Sequence, residues 1–307
     1  MRLFFATDLH ASDLCFRKFC EAADFYNCEA LILGGDVSGK LLIPLTVDGD
    51  HVTYELGGQQ VRVKASELDA EKKRIANMGY YAIEADPEEY ATDVAAYERR
   101  LLDEAILRIH RWVEYAENRL ASTPVRIYFA PGNDDELEVD AAFEGSSVFV
   151  NCEQKVVDLG GVEMASCGWS NPTPWRTPRE CDEGALRARL EGAIEGVSEP
   201  ERAIFNFHVP PHGTQLDVCP QIDEDFNVVT VMGNPMQIHA GSTAVREVIE
   251  ARQPLASLHG HIHESRSATK LGRTWSINPG SEYGEGVLRG VIVNTKGTKV
   301  KHTFTAG

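Results

Sequence analysis

Five short clusters of metal-type side chains punctuate this chain of 307 residues: Asp8-Leu9-His10, Gly35-Asp36, Gly132-Asn133-Asp134, His208 and Gly260-His261-Ile262-His263. Each follows a stretch that reads as a buried strand. Residues i and i+2 share one face of a strand. Asp8 with His10, and His261 with His263, are therefore each expected to point at one spot. The donors are imidazole nitrogens, carboxylate oxygens and one amide oxygen, with no thiolate. Such a set suits manganese, iron, zinc or nickel better than calcium or magnesium. Eight such residues are too many for one four-coordinate ion and fit two ions that share a carboxylate. Taken singly, the clusters say little. Gly35-Asp36 alone is most often a turn, His208 alone a structural histidine, and Asp8-x-His10 a strand-end cap beside a surface histidine. Their joint order is the signal, because the bland reading needs five coincidences.

That order resembles the calcineurin-like metallophosphoesterase superfamily, whose signature runs D-x-H, G-D, G-N-H-D/E, a lone H, then G-H-x-H. The resemblance spans residues 8 to 263. It implies an α/β fold, a four-layer αββα sandwich of two mixed sheets flanked by helices. It also implies that Asp8, His10, Asp36 and His263 hold one ion, and that Asp36, Asn133, His208 and His261 hold a second, with Asp36 as the bridge. Two ions roughly 3.5–4 Å apart need an anionic bridge and can share a water. A water between two cations loses a proton near neutral pH. The implied activity is hydrolysis of phosphate esters, a phosphodiester first, by in-line attack of that hydroxide. A phosphomonoesterase or nucleotide pyrophosphatase is the alternative within enzymes. A binding scaffold on the same fold is the alternative from another class. The chain departs from the signature at one place. The family's histidine after Asn, which assists the leaving group or the phosphate, is Asp134 here.

Asp134 and His212 are thus the candidate catalytic residues, since His212 follows His208 through Val209-Pro210-Pro211 and could replace the missing imidazole. The loop Trp169–Arg176 could line a substrate pocket, with Trp169, Arg176 and Asn133 as substrate contacts, or could be purely structural. His259 reads as a supporting or core residue, Asp135 as an orienting group or a turn cap, and Asn278-Pro279-Gly280-Ser281 as a turn that supports the site.

The net charge of −17 repels nucleic acid and anionic membranes from the general surface, while a metal-centred site can still bind a phosphate. A small phosphate ester is the expected partner, and the lack of Lys/Arg clusters counts against a nuclease. No apolar run is long enough to span a bilayer. Met1–Asp8 reads as the first strand rather than a signal peptide. The seven cysteines show no C-x-x-C spacing, so a reducing, cytoplasmic setting is expected.

Several elements must position the clusters. Leu3–Thr7, Ala30–Leu33 and Val125–Ala130 read as parallel strands, with a helix from Asp13 to Tyr26 capped by Ser12 and buried through Leu14, Phe19, Ala22 and Phe25. Open α/β sheets bind ligands beyond the carboxyl ends of their strands, which is where every cluster falls. Residues 40–123 interrupt the pattern. There, Val52–Leu56 and Val61–Val63 form a hairpin around Gly57-Gly58. Asp86-Pro87 starts a helix to about Ala121, roughly 50 Å long, with Tyr90, Val94, Tyr97, Leu101, Ala105, Ile109, Trp112, Ala116 and Leu120 as its apolar stripe. This insert in a single domain of residues 1–307 reads as a cap or a homo-oligomerisation element, unless the helix simply packs along the sheet. In the second half, Val148–Asn151, Lys155–Leu159 and Val162–Ser166 read as a meander. Ala185–Ala193 and a helix capped by Ser242 lie between strands at Ala203–Phe207 and Ala256–Leu258. Arg273–Ile277, Val287–Asn294 and Val300–Phe304 complete the strands.

Overall fold

The computed structural model describes residues 1–86, 88 and 93–307. The chain forms a layered α/β sandwich built on two six-stranded mixed sheets. The first sheet has the order Lys299–Ala306, Arg289–Lys296, Arg2–Ala6, Ala30–Leu33, Ile127–Phe129, Phe149–Asn151. The second runs Ser267–Leu271, Thr274–Asn278, Ala256–Leu258, Ile204–Phe207, Glu163–Cys167, Val156–Asp158. In the first sheet four neighbouring parallel strands run from Arg2–Ala6 to the edge at Phe149–Asn151, and the antiparallel hairpin of Arg289–Lys296 and Lys299–Ala306 adds on the other side; in the second, four parallel strands are flanked by one antiparallel strand on each side.

Alternation along the strands explains the layering. Leu3, Phe5, Ala30 and Ile32 turn inward and pack with Met164, Ile204, Leu258 and Ile277 of the opposite sheet. Phe4, Ala6, Leu31 and Leu33 turn outward, where they meet α1 (Asp13–Phe25) and the long α3 (Val94–Leu120). The outer face of the second sheet, through Phe205 and Phe207, is covered by α4 (Glu183–Ile194) and α5 (Thr243–Arg252). α1 and α3 are joined by Phe16 stacked on Trp112, ring centroids 4.1 Å apart, and by a hydrogen bond of 2.7 Å from Trp112 Nε1 to Asp13 Oδ1. Buried aromatic pairs of this kind each contribute about 0.5–1.5 kcal/mol beyond the area they remove from water.

The insert contains more than the expected hairpin. Leu42–Asp48, His51–Leu56, Gln59–Lys64 and Tyr81–Glu84 form a four-stranded sheet. It is backed by α2 (Leu68–Asn77) around Ile43, Leu45, Val52, Tyr54 and Ile75. Pro44 breaks up the first of these strands in sequence, and α2 is largely polar, so neither presents a clear apolar period. The long helix begins at Val94 with Asp93 as its cap, Oδ1 accepting from Ala96 N at 2.9 Å. The expected first turn at Pro87 and the apolar Tyr90 lie outside the described residues. With 27 residues α3 is about 40 Å long. Its C-terminal half packs along the first sheet, and Tyr97, Leu101 and Ala105 reach the insert.

Three expectations are corrected. Phe25 is 81% exposed instead of buried, because α1 ends there and turns the ring outward onto Tyr26. The expected meander is split between sheets. Phe149–Asn151 pairs in parallel with Ile127–Phe129, while Val156–Asp158 and Glu163–Cys167 form an antiparallel pair in the second sheet. The first and last ligand pairs do not lie on strands, which end at Ala6 and Leu258.

Candidate metal centre

All five clusters leave the carboxyl ends of parallel strands and meet where the two sheets face each other. The strands stop early, at Ala6 and at Leu258. Asp8, His10 and Ala11 then adopt φ of 54°, 40° and 57°, Asp36 adopts 48°, and His261 adopts 68°. Residues with a Cβ seldom take this left-handed region, and such strain clusters at functional sites. Strand alternation is therefore not what aligns Asp8 with His10, or His261 with His263. Sharp left-handed turns do it.

Neighbouring loops hold these turns. Asp8 N donates to Gly35 O and His10 N to Asp36 O, both at 2.9 Å. Gly260 N donates to His208 O at 2.9 Å. Carboxylates and backbone interlock as well: His261 N donates to Asp8 Oδ1 and Asp134 N to Asp36 Oδ1, each at 3.0 Å. Gly132 must be glycine, because a Cβ there would overlap the Asp36 backbone N and carboxylate. Asp135 ties the second cluster to the third. It is fully buried and accepts from Val37 N, Ser38 N, Ser38 Oγ and Gly132 N. Asn278 Nδ2 donates to Gly260 O and Ile262 O at 3.1 and 3.0 Å, and Ser281 Oγ to Asp8 O at 2.7 Å. The expected supporting turn is thus bonded to the last cluster.

The side chains converge in two overlapping groups. Ligand-type atoms of Asp8, His10, Asp36 and His263 all lie within 4.8 Å of one another. His10 Nε2 faces His263 Nε2 at 3.2 Å and Asp36 Oδ2 at 3.7 Å, and His263 Nε2 lies 3.3 Å from Asp8 Oδ1. On the other side, Asn133 Oδ1 lies 3.1 Å from His208 Nε2 and 2.6 Å from His261 Nδ1, and His208 Nε2 is 3.4 Å from Asp36 Oδ2. Asp36 therefore touches both groups.

The residues fit divalent cations. His10 Nδ1 and His208 Nδ1 each face a backbone carbonyl, Ser38 O at 3.2 Å and Gly34 O at 3.0 Å, which leaves Nε2 free to face the cluster. That outer bonding fixes ring and tautomer in the manner of metal-ligating histidines. The electrostatics demand positive charge at the same place. Burial alone would depress His208, but Asp36 and Asp8 outweigh it and lift its pKa to about 10. Burial likewise opposes the charge on His263, and Asp8 lifts it. Burial raises the Asp8 carboxyl, yet His263, His208 and His10 hold it well below the usual carboxylate range. Burial pushes His10 well down, helped by Lys40 and His263, and takes His261 to about 3, helped by His208. A proton on His208 occupies the role that a cation would fill, while His261 stays neutral, as a ligand must be.

Of the other sequence candidates, Asp134 joins the cluster, whereas His212, Trp169 and Arg176 do not converge on it. Asp134 sits at the cluster with its side chain 11% exposed and ion-paired to Lys40. Burial and Asp36 raise its pKa, against the pull of Lys40. His212 is not among the converging groups: its ring contacts are Asp217 Oδ2 at 3.6 Å and the His239 ring at 5.8 Å. Trp169 packs beneath the Arg189 guanidinium, 3.6 Å from its ring centroid, and against the outer core of the second sheet. That packing supports a structural side chain rather than a substrate contact. Arg176 is exposed. His259 is fully buried in hydrogen bonds to Phe207 O, Val209 O and Ser257 Oγ, a supporting position.

Sequence reading missed Lys40, Thr177, Arg179 and Tyr283. Thr177 Oγ1 accepts from Asn133 Nδ2 at 2.9 Å. Arg179, 2% exposed, donates to Asp135 O, Glu136 O and Asp140. The Tyr283 ring lies 4.6 Å from that of His10. The one usable signal was a lysine four positions after Asp36; the others lie close to the cluster only through the fold. Beside His263 opens a cavity of 510 Å³ lined by Glu264, Ser281, Glu282, Tyr283 and Arg289.

No protein-family model matches the chain. An uncharacterized protein of Methanocaldococcus jannaschii is 30% identical over 157 residues, 50% of this chain and 64% of that protein, so the match spans less than two thirds of the relative. One crystal structure aligns over 98% of both chains with a TM-score of 0.57 and 16% identity. A crystal structure of a Thermus thermophilus protein aligns over 98% of this chain and 97% of its own, at 0.53 and 13%. Identities this low establish a shared fold alone. The structure of a novel archaeal phosphodiesterase covers 99% of this chain and 100% of its own, with 13% identity. Its TM-score of 0.34 is too low to carry an argument. Among the described residues, no helix is long and apolar enough to cross a membrane.

Proposed function

We propose that this chain is a metal-dependent hydrolase of small phosphate esters, of the calcineurin-like metallophosphoesterase type, with a phosphodiester as the first substrate to test. The observation that carries the reading is the buried convergence of Asp8, His10, Asp36 and His263 beside Asn133, His208 and His261, with Asp36 in contact with both groups. In this reading the first four hold one divalent ion, and Asp36, Asn133, His208 and His261 hold a second. Manganese, iron, zinc or nickel suits these donors. When bound, such ions polarise a phosphoryl oxygen and make water a usable nucleophile at neutral pH.

The chain's own residues supply the positioning. Asp135 locks the loops that carry Asp36 and Asn133. Thr177 and Asp134 hold the Asn133 amide through Nδ2, which turns its Oδ1 toward the two imidazoles. The net charge of −17 favours a small substrate over nucleic acid. All seven cysteines are free, in keeping with a reducing compartment. The insert remains a candidate control on substrate size or self-association, since Gly39 N bonds Tyr81 Oη beside the second cluster.

The test is to strip the protein of metal, add back manganese, iron, zinc or nickel singly, and assay aryl phosphomonoesters and phosphodiesters with metal counted per chain. The expected result is ion-dependent turnover with up to two ions bound, and loss of both ions and turnover in Asp36→Ala. Metal-independent hydrolysis, or a wild type that holds no ion, would sink the reading.

A further inference from the structure

We propose that Lys40 is the phosphate-binding cation of this site, held in place by Asp134, so that an ammonium–carboxylate pair occupies the position that the resembling family gives to an imidazole. The inference rests on the proposed phosphoesterase function and assigns it a specificity residue.

Lys40 Nζ is ion-paired to Asp134 Oδ2. The same Asp134 donates its backbone N–H to Asp36 Oδ1, and its Oδ2 lies 3.9 Å from His10 Nδ1. The ammonium is thus one carboxylate away from the convergence point. Its side chain is 48% exposed against 11% for Asp134, so it reaches the cluster from the solvent side, the side from which a substrate arrives.

The stem is fixed on both flanks. Gly39 N donates to Tyr81 Oη at 2.8 Å, and a Cβ at Gly39 would overlap Gly79 O. Leu42 N donates to Tyr97 Oη at 3.1 Å, and Leu42–Asp48 pairs in parallel with Tyr81–Glu84. The insert therefore sets the direction of Lys40, although it supplies no ligand of the cluster.

Charge explains why a cation belongs there. An entering phosphate meets Asp8, Asp36 and Asp134, three carboxylates that repel it. An ammonium has three N–H donors and no acceptor. One donor holds Asp134 and two remain for phosphoryl oxygens. The competing view makes the pair a structural brace. A half-exposed ion pair contributes about 0–1 kcal/mol to stability, so a brace would be a weak one, and the two views predict different outcomes.

The experiment uses metal-loaded full-length protein and inorganic phosphate as the probe. Wild type, Lys40→Ala, Lys40→Arg and Asp134→Asn are titrated by calorimetry, with thermal melts and metal content measured on each. Lys40→Ala should weaken phosphate by at least about tenfold with metal content unchanged, in line with the strength of charge-assisted hydrogen bonds. Lys40→Arg should stay within about threefold, because the charge persists. Asp134→Asn should weaken phosphate clearly less than Lys40→Ala does, because the ammonium remains but loses the carboxylate that holds it. Phosphate bound equally by wild type and Lys40→Ala would overturn the assignment. So would a loss that Arg fails to rescue, or equal losses with lowered melts in Lys40→Ala and Asp134→Asn. A wild type that holds metal but no phosphate would remove the proposed function along with it.

Discussion

Replacing Asp135 by Asn should damage the site without touching a ligand. The carboxylate is fully buried, and its two oxygens serve four donors: Val37 N at 3.1 Å, Ser38 N at 2.9 Å, Ser38 Oγ, and Gly132 N at 2.9 Å. Asn has almost the same shape but only one acceptor oxygen. If Oδ1 keeps Val37 and Ser38, the new amide N–H₂ faces Gly132 N–H, donor against donor. An unsatisfied buried donor costs about 1–3 kcal/mol, and the bonds that survive lose their charge assistance. Together these effects cost about 3 kcal/mol. At about 2 °C per kcal/mol for a chain of this size, the melt should fall by about 6 °C. Gly132 and Ser38 flank Asn133 and Asp36, so both loops should loosen and metal affinity should drop about 10–100-fold, the usual effect of losing an outer partner. Thermal melts of the metal-free protein and metal titration with a competing chelator measure the two effects separately. A melt within about 1 °C of wild type with unchanged metal affinity would refute the claim that Asp135 is the staple between these loops.

Two further outcomes are expected. Gly132→Ala forces a Cβ into the Asp36 carboxylate and backbone N, so it should destabilise by about 1–3 kcal/mol and lower the metal count per chain; full metal occupancy would contradict the packing argument. Glu153 Oε1 is buried and unpartnered, and burial, opposed by Gly168 N and Arg179, lifts the carboxyl pKa from 4.5 to about 7. A carboxyl whose folded pKa is raised stabilises fully below its unfolded value and loses that stability as pH rises through the folded one, so folding should weaken between about pH 4.5 and 7 by up to about 3 kcal/mol. Glu153→Gln should flatten that slope in urea midpoints taken at pH 5 and 8, and an unchanged slope would place the ionisation elsewhere.

The layers were legible because the short unbroken apolar runs at Leu3–Ala6 and Ala30–Leu33 mark strands covered on both faces, and because Ser12 and Ser242 cap α1 and α5 as their positions imply, each accepting from the backbone N–H three residues on. The convergence of Asp8, His10, Asp36 and His263 was legible from residue type and order, though not for the reason that spacing suggested. Left-handed backbone at Asp8, His10 and His261 leaves no mark in a sequence. The side chains that hold the ligands were invisible for a different reason. Thr177 reaches Asn133 across 44 positions and Asp135 reaches Ser38 across 97, and nothing local marks either contact. Phe149–Asn151 was misassigned because a short apolar strand carries no label for which of two sheets it joins.

The strand Arg2–Ala6 lies inside its sheet, between Ala30–Leu33 and Arg289–Lys296. Leu3, Phe4, Phe5 and Ala6 are fully buried there, and Met1 and Thr295 exchange two backbone hydrogen bonds of 2.9 Å. On the ribosome its parallel partner emerges within tens of residues, whereas its antiparallel partner follows about 290 residues later. At about 5–20 residues per second, one edge of this apolar strand waits about 15–60 s for its mate. An unpaired apolar edge is a template for joining other chains. The demand on the cell therefore falls during synthesis: the newborn chain must be kept from its neighbours until Arg289–Lys296 closes the sheet.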